Sequence, residues 1–120
     1  MNILVVDDSK TIRMLVKRNL KQAGFEDATV LEAEDGAQGL EVARSQPVDL
    51  ILSDWNMPQM SGLEFLKALR GEGNEATFGF ITSESTPSYK DQALAAGAAF
   101  LLSKPFNAES FADALGVVRT

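Results

Sequence analysis

Residues 3–8 read Ile3-Leu4-Val5-Val6-Asp7-Asp8: four apolar residues that stop abruptly at two acids. The same design recurs along the chain. Leu50-Ile51-Leu52 runs into Ser53-Asp54, Phe80-Ile81 into Thr82, and Phe100-Leu101-Leu102 into Ser103-Lys104. If these runs are parallel strands, Asp7, Asp8, Asp54, Thr82 and Lys104 gather at one edge of one sheet. In open parallel sheets that edge, beyond the carboxyl ends of the strands, is where ligands bind.

The segments between the runs have helical period. Ile12, Leu15, Val16 and Leu20 fall at helical spacing, and Gly24 stops that helix. Residues 28–33 predict a second strand, Asp35-Gly36 a turn, and residues 37–44 a short helix closed by Pro47. Residues 49–53 are nearly all apolar, as a strand covered on both faces should be. Ser61-Gly62-Leu63-Glu64 matches a capping box and predicts a helix to about Arg70. Residues 78–82 are a fourth strand. Thr86-Pro87 suits an N-cap and first helical position for a helix over 87–96, stopped by Gly97. Residues 99–102 form the fifth strand. Asn107 can cap a last helix with Phe111, Leu115 and Val118 on one face. Strict alternation with short connections predicts an α/β fold: a doubly wound, five-stranded parallel sheet with five helices.

Composition narrows the chemistry. The 120 residues fit one domain, and 45% hydrophobic content can build an ordinary core. A net charge of −6 leaves no basic footprint for nucleic acid. Cysteine is absent, which removes disulfides and thiol chemistry and is compatible with the cytosol. Histidine is absent as well, so Ser-His-Asp and Cys-His arrangements are excluded. No apolar stretch reaches a membrane span, and the start is too short and uncharged for a signal peptide. Met1 directly before the first strand suggests a natural start. The chain closes with the fifth helix, so the expectation is a single domain over residues 1–120 without an output domain.

Three carboxylates within a few ångströms repel one another unless a cation relieves them. Mg²⁺, a hard ion that takes a few carboxylates and keeps several waters, suits an open sheet edge. Lys104 adds one positive charge that can pair with Asp54 at rest and with phosphoryl oxygens afterwards.

The motif order Asp-Asp, Asp, Thr, Lys-Pro resembles the receiver domains of two-component response regulators. In detail the chain is similar to their stand-alone chemotaxis members through Leu4-Val5-Val6-Asp7-Asp8, Ser53-Asp54-Trp55-Asn56-Met57-Pro58, Thr82-Ser83-Glu84, Ala96-Gly97-Ala98 and Lys104-Pro105-Phe106. The resemblance covers Asn2 to about Val118 and implies a flavodoxin-like sheet order of 2-1-3-4-5. It implies that Asp54 is the phosphoacceptor, taking a phosphoryl group from a histidine kinase. Asp8 and Asp54 would ligate Mg²⁺ directly with the backbone carbonyl of Asn56, and Asp7 through a water. Thr82 and Lys104 would hold the phosphoryl oxygens, and Asn56 and Glu84 would influence water attack in the off step. A cytoplasmic monomer is expected, with no nucleic-acid or membrane partner. Its output face would be helix four, strand five and helix five, including Tyr89, Lys90, Leu94, Leu101 and Ala114. The target would be a flagellar motor switch or another signalling protein.

One departure stands out. Many receivers carry an aromatic residue on strand five whose motion is coupled to the Thr. Counting back from Lys104, that position is Leu101, and Phe100 should face the opposite side. The expectation is that Thr82 and the 83–88 loop still move, with Leu101 repacking. Rival readings are a receiver acting as phosphate sink or regulator of a non-motor target, a Mg²⁺-dependent phosphatase, and a flavodoxin-like cofactor binder. The phosphatase usually needs a second Asp two positions after the nucleophile, where Asn56 stands. The cofactor binder needs a phosphate-cradling loop where Asp7-Asp8 stands.

Overall fold

The structure, a computed structural model, describes residues 1–84 and 86–119; of residues 117–119 it describes the backbone only. Strands and helices alternate: β1 (Asn2–Val6), α1 (Lys10–Gln22), β2 (Thr29–Ala33), α2 (Gly36–Ser45), β3 (Leu50–Ser53), α3 (Gly62–Gly71), β4 (Thr77–Thr82), α4 (Pro87–Ala95), β5 (Phe100–Ser103) and α5 (Ala108–Arg119). The strands form one parallel sheet in the order β2-β1-β3-β4-β5. The chain leaves β1 in one direction to β2 and returns on its other side with β3, so the switch point lies between β1 and β3, where Asp7 and Asp54 emerge.

Burial follows the apolar runs. Every residue of β3 is buried, and so is β1 beyond Asn2, because helices cover both faces of these central strands. On one face Leu4, Val6, Ile51, Phe78 and Phe80 pack with Leu40 of α2, Phe65, Leu66 and Leu69 of α3 and Ala93 of α4. On the other, Ile3, Val5, Leu50, Leu52 and Ile81 pack with Val16 and Leu20 of α1 and Phe111 and Leu115 of α5. The side chain of Val118, expected beside the last two, lies outside the described residues, as does Ser85 of the 83–88 segment expected to move.

The expected elements are present, with ends displaced by one residue in places. Gly24 has φ +98°, a conformation costly for any side chain, and the Phe25 N–H there closes α1 onto the Leu20 carbonyl. The Ser61–Glu64 capping box is formed in both directions. Thr86 occupies the N-cap of α4 but its side chain accepts no capping bond. Pro87 at the first position has already removed one N–H, and Thr86 is exposed, so water can serve the others. In α1 the inward stripe is Arg13, Val16, Asn19 and Leu20, whereas Leu15 stands 39% exposed. Hydrophobic period alone could not have turned a buried arginine inward in its place.

Candidate functional site

The sheet ladder continues past the ends of the strands and carries the polar residues to one edge. The Asp7 N–H donates to Ala33 O (3.1 Å), the Asp54 N–H to Val6 O (2.9 Å) and the Lys104 N–H to Thr82 O (2.9 Å). Register places Asp7 level with Asp54, while Lys104 stands two positions further along β5, so its long side chain bridges the offset to reach them.

One carboxylate oxygen from each of Asp7, Asp8 and Asp54 lies within 4.8 Å of the others. Asp7 is buried, Asp54 half-buried and Asp8 exposed, so the cluster opens to solvent on the Asp8 side. Lys104 Nζ donates to Asp7 Oδ2 at 2.8 Å and to Asp54 Oδ2 at 3.2 Å. The expected pairing with Asp54 is thus shared, with the shorter bond to Asp7. Burial disfavours the ammonium of Lys104, but the hydrogen bonds and charges of the two aspartates outweigh it and hold its pKa above the ordinary value. The remaining oxygens are also occupied: Asp7 Oδ1 accepts from the Ser9 N–H (2.9 Å) and Asp54 Oδ1 from the Trp55 N–H (2.7 Å). Ser9 in turn caps α1 through the Ile12 N–H at 3.3 Å.

The donor set fits Mg²⁺. It consists of hard carboxylate oxygens close enough to share one ion, with an open side for waters, and it lacks softer nitrogen or sulfur ligands because the chain has neither histidine nor cysteine.

Thr82 ends β4 at the same edge and is fully buried. Its hydroxyl accepts from the Glu84 N–H at 3.2 Å and keeps its own proton to donate. Asn56 and Glu84 meet across the mouth of the site, the Asn56 amide donating to Glu84 Oε1 at 2.9 Å.

Trp55 leads inward from the site. Its indole lies 4.7 Å from the ring of Phe80 and 4.9 Å, edge-on, from Tyr89 of α4. Leu101 packs in this same cluster and Phe100 on the opposite face, as strand alternation requires. The Phe100 ring covers Gly79, where a Cβ would collide with it. No one-residue slip brings Phe100 round to the side of Thr82 and Trp55.

Two contributors escaped sequence reasoning. Gly62 sits at the start of α3 where a Cβ would collide with the carbonyl oxygen of Asp54, and its N–H donates to Trp55 O at 2.8 Å. A glycine inside a capping box was the available signal. Arg13 was the other, and its signal was a cation at i, i+3 and i+7 with Val16 and Leu20.

Comparison with known proteins agrees with this geometry over nearly the whole chain. The response regulator receiver domain family matches residues 3–116. The chain belongs to that family. It is 38% identical over 118 residues to a probable chemotaxis protein CheY of Rhizobium etli, covering 97% of this chain and 90% of the relative. It is 37% identical to chemotaxis protein CheY1 of Helicobacter pylori, covering 98% and 96%. The high-resolution structure of chemotaxis response regulator CheY4 of Vibrio cholerae superposes with a TM-score of 0.86 at 39% identity, covering 98% of this receiver and 97% of that chain. Among the described residues no helix is long and apolar enough to cross a membrane.

Proposed function

We propose that this receiver is a phosphorylatable switch of a chemotaxis-type two-component system, cytoplasmic and monomeric, with Asp54 as phosphoacceptor. The observation that carries the reading is Lys104 bridging Asp7 and Asp54 inside a group of three carboxylates. A carboxylate that attacks a phosphoryl group needs its own charge and that of the incoming oxygens balanced, and this arrangement is built for it.

An Asp54 carboxylate oxygen attacks the phosphorus of a phosphohistidine on the donor kinase. The new P–O bond gives an acyl phosphate, while the P–N bond breaks and its electron pair stays on the imidazole. Lys104 follows the phosphoryl oxygens, and the Thr82 hydroxyl donates to another. Asp8, Asp54 and the Asn56 carbonyl would hold Mg²⁺, with Asp7 reaching it through a water. Bound there, Mg²⁺ supplies charge neutralisation for the phosphoryl oxygens. Little other protein chemistry is required, because such transfers run on positioning and electrostatics. In the off step water attacks phosphorus, the P–O bond to Asp54 breaks, and inorganic phosphate leaves. Asn56 and Glu84, paired with each other, would influence that attack.

The phosphorylated state would be read on the face of α4, β5 and α5. Lys90 and Leu94 stand exposed there, and Leu101 and Ala114 are half-buried. A flagellar motor switch or another signalling protein would bind it. Phosphorylation favours binding only as far as the target prefers the active conformation. Leu101 in place of an aromatic supports a second reading, a phosphate sink or regulator of a non-motor target. Pull-down on flagellar motor switch protein, with and without beryllofluoride, separates the two.

The test of the switch itself uses Trp55, the one tryptophan, which lies beside Asp54. A saturable fluorescence change with Mg²⁺, then a second with beryllofluoride that Asp54→Asn lacks, is the expected result. No response to either would sink the proposal.

A further inference from the structure

We infer that Arg13 of α1 is a positioning residue for the acid cluster, fixing the peptide that joins Asp7 to Asp8 and thereby aiming the Asp8 carboxylate. This rests on the Mg²⁺ reading above.

Arg13 is a buried cation that the phosphoryl chemistry does not use. It is 8% exposed, and it lies on the α1 stripe with Val16 and Leu20. An apolar residue would fill that stripe without a desolvation cost, and a buried ion pair is by itself weak evidence of stabilisation. The guanidinium must therefore be understood from what it holds. Nε donates to Glu32 Oε1 of β2 at 3.0 Å, and Nη1 donates to the backbone carbonyl of Asp7 at 2.6 Å. Burial opposes ionisation of Glu32, but hydrogen bonds from Arg13 and Lys17 outweigh it and keep its carboxyl below the ordinary value. Glu32 is thus a steady anchor for the fork.

Asp7 and Asp8 need this help to different degrees. The carboxylate of Asp7 is held by the Ser9 N–H and by Lys104. Asp8 is exposed, and its carboxylate has no hydrogen bond among the described residues, so its direction comes from the backbone. The Asp7 carbonyl belongs to the peptide plane between the two. With the Asp7 N–H on Ala33 O and the carbonyl on Arg13, that segment is tied to both β2 and α1. Outer partners that orient ligands in this way typically govern metal affinity.

Charge and positioning make opposite demands. By charge alone, removing a cation beside three carboxylates would tighten Mg²⁺ binding; if Arg13 positions them, its removal loosens it. Lysine keeps the charge but cannot form the two-pronged fork. Lys17 also pairs with Glu32, at 3.2 Å, and has no hydrogen bond to Asp7, so Lys17→Gln is the control on the same helix.

The experiment is calorimetric titration of Mg²⁺ into the parent chain, Arg13→Lys, Arg13→Gln and Lys17→Gln, at a temperature where thermal scans show each fully folded. Both Arg13 variants are expected to bind Mg²⁺ about tenfold more weakly, and Lys17→Gln at the parent's affinity or slightly above. Arg13 variants at or above the parent's affinity overturn the inference, and so does a loss in Lys17→Gln equal to that in Arg13→Lys. If Arg13→Gln does not fold, Arg13→Lys decides alone. A parent that binds no Mg²⁺ overturns the underlying reading together with this one.

Discussion

The two helices that flank the site are attached to it very differently. On the β1 side, α1 buries Arg13, Val16, Asn19 and Leu20, is capped by Ser9, and is joined to β2 by the Arg13 and Lys17 pairs on Glu32. On the β4 side, α4 has one buried residue, Ala93, and an N-cap without a side-chain bond. Its main large contact with the body is Tyr89 against Trp55. Asp7 is thus held on a fixed frame, whereas Thr82 and Glu84 lead into a lightly packed element. A switch needs both: acids that stay in place, and a neighbour whose rearrangement costs little.

The largest expected effect breaks the site that both sides share. If Asp54 is the phosphoacceptor as proposed, Asp54→Asn is expected to abolish uptake of a phosphoryl group from acetyl phosphate, read by intact mass. Lys104→Met is expected to slow that uptake roughly a hundredfold, since on the proposed function it removes a preorganised charge that would meet the phosphoryl oxygens. Its pH signature has a definite sign. The folded pKa of Lys104 is raised above 10.5, so its contribution to stability is complete below that value and fades as pH climbs through the higher folded pKa. Thermal midpoints of the parent should therefore fall more steeply above pH 10.5 than those of Lys104→Met. Parallel slopes would show that the Asp7 and Asp54 pairings contribute nothing.

Truncation sharpens the contrast between the helices. Leu20→Ala in α1 should cost about 3 kcal/mol in denaturant unfolding, because the side chain is fully buried and leaves a cavity. Leu94→Ala in α4, 45% exposed, should stay within about 0.5 kcal/mol. Hydrogen exchange in the parent should open α4 before α1. The reverse order would mean that α4 is not the yielding side. The caps give the smallest test. Ser61→Ala removes a formed capping bond and should cost about 1 kcal/mol. Thr86→Ala removes none and should be nearly silent, which a stability scan can resolve.

Much of this was legible in one dimension. Apolar runs ending in Asp7, Asp54, Thr82 and Lys104 located strand ends, and the period between them located helices, because burial on a sheet or a helix repeats every two or every 3.6 residues. The Ser61–Glu64 box and Gly24 were legible because caps and left-handed turns are settled within a few residues. The displacement of Leu15 by Arg13 was not, since a cation on an apolar stripe turns inward only if partners from elsewhere receive it.

The sequence by itself therefore determined the alternation, the sheet edge and the polar residues that end there. Tertiary structure alone decided which partners those residues take. Lys104 divides itself between Asp7 and Asp54, Asn56 reaches Glu84, Trp55 finds Tyr89, and Arg13 ties Glu32 to the Asp7 carbonyl. Each of these joins separate elements, and no local period records which distant side chain the packing will bring within reach.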